Sequence, residues 1–177
     1  MISIMQQFLR SFRVLLLAVA LAAAACGDVA PGEGLPDPDS AAVRYGSGVE
    51  GEIRGNVLQL EVPFGDELRR GGPIWARGGP YFYLFTGATR DLFEENPQLA
   101  GVRVITRTPD GQEVARATLE RGRLRESDWN RGRNLAGRAQ LEGTERPRLV
   151  EQLVFFGEDH TEHEYNEDFV PPLRRGD

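Results

Sequence analysis

The densest grouping of chemically capable residues is Glu158-Asp159-His160-Thr161-Glu162-His163-Glu164, which holds both histidines of the chain. Imidazoles and carboxylates are the ligands that zinc and similar metals use. If the segment turns, Glu158, His160 and His163 converge, and a metal-binding or metal-dependent protein becomes one functional reading. On a strand, positions three apart face opposite sides, and neither HExxH nor HxxEH is present. The alternative is an acidic, solvated rim with two ordinary histidines.

Other candidates are weaker. Arg121, Arg123 and Arg125 alternate, so on a strand their guanidinium groups share one face and could hold a carboxylate or phosphate; pairing with surface acids is the commoner outcome. Trp75, Tyr81, Tyr83, Phe85 and Phe93 concentrate the aromatic residues. They could stack on sugar rings, but a hydrophobic core is the plainer reading. Trp75 stands out because it lies in a glycine-rich stretch beside Pro73.

Several chemistries are excluded or lack their parts. All 21 basic residues are arginine, which rules out Schiff-base catalysis, a P-loop lysine and a lysine general base. Beyond residue 26 the only serines are Ser40, Ser47 and Ser127, and no GxSxG or Walker loop occurs. With Cys26 the single cysteine, no disulfide can form within the chain.

The elements that would position these residues follow an unusual start. Arg10 and Arg13 precede an unbroken apolar run from Val14 to Ala25, and the run stops at Cys26. That is too short for a membrane-crossing helix, which takes about 20 residues. A basic start, a short apolar middle and small residues before a cut form the pattern of a secretory signal. The junction Ala23-Ala24-Ala25-Cys26 resembles the lipobox of bacterial lipoproteins, although Ala23 stands where leucine is usual. The resemblance covers residues 1–26 and implies cleavage after Ala25 and lipid attachment at Cys26. Two or more acyl chains hold a protein firmly, because each buried methylene contributes about 0.8 kcal/mol. A plain signal-peptidase site at Ala23-x-Ala25 is the competing account.

Removing residues 1–25 takes away Arg10 and Arg13, leaving 19 arginines against 27 acidic residues, a formal −8. A net acidic surface repels phosphate backbones and anionic headgroups, so nucleic acid is not an expected partner.

Residues 26–47 are rich in proline, glycine and aspartate and read as a lipidated cysteine followed by a disordered tether. Residues 48–170 read as a single globular domain, and 171–177 as a tail. Within the domain, Glu52–Val62 reads as strand with a bulge or tight turn near Gly55. Residues 63–79 read as irregular, apart from a possible edge segment at Ile74-Trp75-Ala76. Tyr81–Phe85, apolar on both faces, reads as a central strand. A short helix around Leu92 and Phe93, capped by Thr89 and ended by Asn96-Pro97, leads to a strand at Val102–Thr106. Pro109-Asp110-Gly111 then predicts a hairpin into Glu113–Leu119. Beyond Ser127, Trp129, Leu135, Ala136 and Ala139 recur at helical spacing, though Leu135, Gly137, Ala139 and Leu141 also alternate as in a strand; helix is preferred. Pro147 opens a second helix over Arg148–Phe156, followed by Gly157, with a buried strand as the alternative. Thr161–Tyr165 reads as a closing strand.

The expected fold class is therefore α+β: a two-layer, antiparallel-rich sheet with two or three helices, in the βαββαβ order of ferredoxin-like folds from Pro80 on. A β-sandwich is the alternative. The expected function is that of a lipid-anchored envelope lipoprotein on the exported face of the inner or outer membrane. It would act as a non-catalytic binding or structural module for a protein or small-molecule partner. No catalytic residue and no cofactor is assigned.

Overall fold

The computed structural model describes residues 34–172. Cys26, the run before it and the end of the expected tail lie outside the described residues. The α+β expectation holds: five strands form one open mixed sheet, and helices pack on one of its faces. A single sheet excludes the β-sandwich alternative.

Strands β1 (Glu50–Arg54) and β2 (Val57–Pro63) form an antiparallel hairpin. Its two-residue turn begins at Gly55, whose φ of 63° suits glycine, so the interruption expected near Gly55 is a turn. Helices α2 (Gly65–Leu84) and α3 (Gly87–Glu95) then cross over to β3 (Gly101–Arg107), which pairs parallel with β2. Strand β4 (Glu113–Glu120) returns antiparallel through the expected Pro109-Asp110-Gly111 turn, where Gly111 has φ 85°. The helices α4 (Glu126–Glu142) and α5 (Pro147–His160) precede the edge strand β5 (Glu162–Tyr165), antiparallel to β4. Strand order across the sheet follows chain order, β1 to β5. Among the described residues no helix is long and apolar enough to cross a membrane.

Two expectations are corrected. Tyr81–Phe85 is not a central strand; Tyr81 to Leu84 close helix α2, so from Pro80 the order begins on helix, and the βαββαβ series starts instead at β2, with two helices in each helical position. A helix wedged between a sheet and other helices is apolar nearly all round, which looks in sequence like a doubly buried strand. The preceding stretch, expected to be irregular with an edge segment at Ile74–Ala76, is also helical. It breaks only at Gly72 (φ 59°), just before Pro73, whose fixed φ suits a first helical turn. Glycine permits the close packing: a Cβ on Gly79 would lie 3.1 Å from Thr106 Cγ2 and 3.2 Å from Phe64 Cζ.

The second correction concerns the tether. Residues 38–43 form helix α1 (Pro38–Val43), with the Asp37 carboxylate accepting from Ser40 N at 2.9 Å and Pro38 in the first turn. Ala41 and Ala42 are buried in the main core. The folded part therefore starts well before Gly48. Helix α1 lies so close to β1 that a Cβ on Gly51 would sit 2.3 Å from the Pro38 carbonyl oxygen.

The core lies between the helices and the inner sheet face, where Leu58, Leu60, Val102, Val104, Ala117 and Leu119 align across β2, β3 and β4. Trp75, Tyr81, Phe82, Phe85 and Phe156 fill the helical side. The segment 127–156 is helical, as preferred: α4 buries Gly132, Ala136 and Ala139, and α5 begins at Pro147 as expected but runs through Gly157 to His160.

Candidate functional site

Glu158, His160 and His163 are not brought together. Glu158 and His160 close helix α5 on different sides. The Glu158 carboxylate turns inward, where Oε1 accepts from Arg77 Nη1 at 3.2 Å and from the Tyr165 hydroxyl at 3.0 Å. The His160 ring stacks on Phe156 (centroids 4.2 Å apart), and its Nδ1 lies 2.7 Å from the Phe156 carbonyl oxygen, which requires that nitrogen to donate. His163 is exposed on edge strand β5. Among the described residues no group of three or more His, Cys, Asp or Glu side chains is arranged to hold a metal ion. The physical reason is the extra helical turn: α5 continues to His160, so the segment is helix and then strand, without the turn that convergence needed.

Glu158 instead belongs to a half-buried polar network between α2, α5 and β5. The Tyr81 and Tyr165 hydroxyls meet at 2.7 Å, and the Arg77 guanidinium lies 4.7 Å from the centre of the Tyr165 ring. Burial pushes the Tyr81 hydroxyl up to about 12. Burial also raises Tyr165, with the nearby Tyr81 and Glu158 adding to the shift. Arg77 Nη1, Glu158 Oε1 and the two phenol oxygens bond to one another, so the network fastens β5 to the helical layer.

Arg121, Arg123 and Arg125 do not share a strand face, because β4 ends at Glu120 and the chain turns at Gly122 (φ 75°). Arg121 donates to three carbonyl oxygens, those of Phe93, Leu99 and Asn96, the first two at 2.6 Å, and stacks 5.1 Å over the Phe93 ring. Phe93 and Asn96 belong to the end of α3, where carbonyls lack helical partners, and Leu99 to the loop that follows. Arg123 reaches the Asp159 carbonyl oxygen at 3.3 Å. Arg125 opens α4, with its backbone N–H donating to Asp128 Oδ2 at 3.4 Å, so the cap lies ahead of Ser127. The cap of α3 likewise shifts, from Thr89 to Thr86.

The aromatic cluster is core, as the plainer reading held. Trp75 is 5 % exposed and packs 5.1 Å from Phe82. No described depression brings it to the Glu158–Glu164 segment.

The surface left for a partner is the outer face of the sheet, which no helix covers. Cross-strand register builds it in rows: Glu50, Glu61, Ile105, Arg116 and Glu164 in one, and Glu52, Gln59, Arg103, Thr118 and Glu162 in the next. Arg107 holds Glu61 with two hydrogen bonds, at 2.7 and 3.1 Å, and this keeps the Glu61 carboxyl below its ordinary range. Arg116 pairs with Glu164 across β4 and β5. Arg103 differs: its Nε donates to Thr118 Oγ1 at 3.0 Å, and no carboxylate lies within 4.0 Å of it among the described residues. Arg103, Arg116, Thr118 and Glu162 line a shallow depression of about 300 Å³ on this face.

The chain matches no family model, no curated protein and no solved structure. Geometry and sequence alone therefore carry the functional argument.

Sequence reasoning missed Gln59, Glu61, Arg103, Arg107 and Arg116. The alternation was present, with Arg103, Ile105 and Arg107 interleaved with Val102, Val104 and Thr106. Only the long-range parallel pairing of β2 with β3, which leaves no local trace, lays these residues into a surface.

Proposed function

We propose that this chain is an exported bacterial envelope lipoprotein, attached through an acylated Cys26, whose folded domain acts by binding a partner across the outer face of its sheet. The observation that carries the binding reading is that face itself. It sets glutamate and arginine side chains around the buried Gln59, Ile105 and Thr118, with Arg103 Nε bonded to Thr118 Oγ1 and, among the described residues, no carboxylate within 4.0 Å of its guanidinium. Paired charges fixed by a sheet are pre-ordered, so a partner meeting them loses little side-chain entropy. The anchor reading is supported by the Arg13-to-Cys26 pattern, whose apolar run is of signal length and ends on the sole cysteine.

The experiment has two arms. Growth with an alkyne fatty acid should label the wild-type chain and leave Cys26→Ser unlabelled; equal labelling, or none in either, counts against the anchor. A photo-crosslinker at position 103 should then give a discrete adduct in envelope fractions that Arg116→Glu weakens. If position 103 yields no adduct while a control position on α5 does, the binding face has been misassigned.

A further inference from the structure

We infer that the α4 side of the helical layer is a membrane-contact surface, laying the anchored domain against anionic phospholipid through Arg131, Arg138, Leu141 and Phe155. The inference rests on the proposed acylation of Cys26.

The net charge conceals a strong local imbalance. Between Arg121 and Arg148 stand eight arginines and four acidic residues (Glu126, Asp128, Glu142, Glu145); the rest of the chain has 13 arginines against 23 acids. The repulsion from anionic headgroups expected of the acidic whole therefore does not apply to this strip. Of its four acids, Glu126 is paired by Arg90 from outside the strip and Glu142 by Arg146 within it. Among the described residues no carboxylate lies within 4.0 Å of Arg131, Arg133 or Arg138, while Arg44, Arg77, Arg90, Arg107 and Arg116 elsewhere are each paired.

Large apolar side chains stand exposed among these free cations. Leu141 is 87 % and Phe155 59 % exposed. Arg131, Leu135, Arg138 and Leu141 follow one another at helical spacings of four, three and three, which puts them on neighbouring parts of one helix face. Phe155 adjoins Arg131 and Leu135 across a hollow of about 240 Å³ between α4 and α5. Exposed leucine and phenylalanine beside unpaired arginine match the layering of a bilayer surface, where apolar groups enter the acyl boundary and guanidinium groups fork onto phosphates. Asp159 lines the α5 side of that same hollow and Glu151 is exposed on α5, so the basic strip is confined to α4.

Chain length brings this surface within reach. The described chain begins at Gly34, where a Cβ would lie 3.2 Å from Gln98 Cγ. The neighbouring Pro97 lines a groove shared with Trp129 of α4. Residues 27–33 separate Gly34 from Cys26, a span of at most about 28 Å when fully extended. The lipid thus holds the domain close to the bilayer on the side where α4 begins. The sheet's outer face, with Glu50, Glu52, Glu61, Glu162 and Glu164, is the more acidic one and is turned away.

The test uses the native acylated protein in vesicles. Acylation consumes the Cys26 thiol, so one added cysteine, Gln152→Cys beside Phe155 or Glu52→Cys on the sheet, takes a single fluorophore. With a quencher on the lipid headgroups, the label at 152 should be quenched several-fold more than that at 52 in phosphatidylglycerol vesicles. The difference should vanish in phosphatidylcholine vesicles and at high salt. Arg131→Gln and Arg138→Gln should each lower the docked-to-free ratio about fivefold, as expected for one arginine near an anionic surface. Equal quenching at both positions on protein that floats with the vesicles overturns the surface and leaves the anchor standing, as does a difference unchanged in phosphatidylcholine. Protein that fails to float with any vesicle overturns the anchor reading, and this inference with it.

Discussion

The Tyr81 and Tyr165 hydroxyls lie 2.7 Å apart and join the end of helix α2 to the edge strand β5. Only four residues long, β5 has little backbone pairing of its own, and this contact together with Arg77–Glu158 fixes it. The folded state therefore requires both phenols to stay protonated.

An alkaline limit to stability follows. Burial pushes Tyr81 and Tyr83 up to about 12 and raises Tyr45 and Tyr165 as well, so all four tyrosines resist ionisation in the folded chain. An unfolded tyrosine ionises near pH 10. The folded chain thus holds more protons above that point, and the stability these groups contribute, complete below pH 10, is lost as pH rises toward 12. Tyrosinate absorbance near 295 nm should rise in one cooperative step together with the loss of helical circular dichroism. Tyrosinate appearing before that loss would show at least one ring to be accessible in the folded state.

Gly51→Ala tests whether helix α1 belongs to the domain. The added methyl would stand 2.3 Å from the Pro38 carbonyl oxygen, so either α1 or β1 must shift. Overpacking of this kind costs about 1–3 kcal/mol. Urea unfolding should show a loss in that range, and limited proteolysis should open new cleavage between residues 38 and 48. Unchanged stability and protection would mean that residues 38–43 are not docked.

Arg121→Lys separates a structural arginine from a ligand-binding one. The planar fork serves three carbonyl groups at once, and an ammonium on a flexible stem cannot reproduce that geometry. A loss of about 1–2 kcal/mol is expected, whereas Arg125→Lys, whose contact at the start of α4 is made by its backbone, should be near neutral. Equal effects from the two substitutions would contradict the assignment of Arg121 to the end of α3.

What the sequence disclosed, and what it hid, divides by the range of the interactions. The β3–β4 hairpin was legible because alternation and a Pro-Asp-Gly turn are local. Helix α5 was legible because Pro147 and the stripe of Leu149, Val150, Leu153 and Val154 repeat at one period. Helix α2 was hidden because its glycines, at 71, 72, 78 and 79, look like loop chemistry until the neighbours that demand small residues, Phe64, Thr106 and Val150, are in place. The start of α1 carried its own cap in Asp37-Pro38, but proline-rich composition outweighed that short signal. The outer sheet face was hidden for a different reason: its rows depend on pairing residues more than forty positions apart.

The histidines offer the sharpest check on the corrected site. His160 spends its Nδ1 proton on the Phe156 carbonyl and stacks on that residue's ring, while Glu158 is held by Arg77 and Tyr165 on another side of the helix. Gathering Glu158, His160 and His163 around one ion would require breaking the Arg77–Glu158 pair, whose side chains are 11 % and 22 % exposed; disrupting an enclosed pair costs several kcal/mol, about 3–5 where burial is complete. Equilibrium dialysis of the full chain against zinc should therefore find no stoichiometric uptake that His160→Ala or His163→Ala abolishes. Glu158→Gln, by contrast, should lower the unfolding midpoint clearly, because it removes the charge facing Arg77. One equivalent of zinc lost on either histidine substitution, with Glu158→Gln leaving stability unchanged, would restore the metal site and remove the network as the fastener of β5.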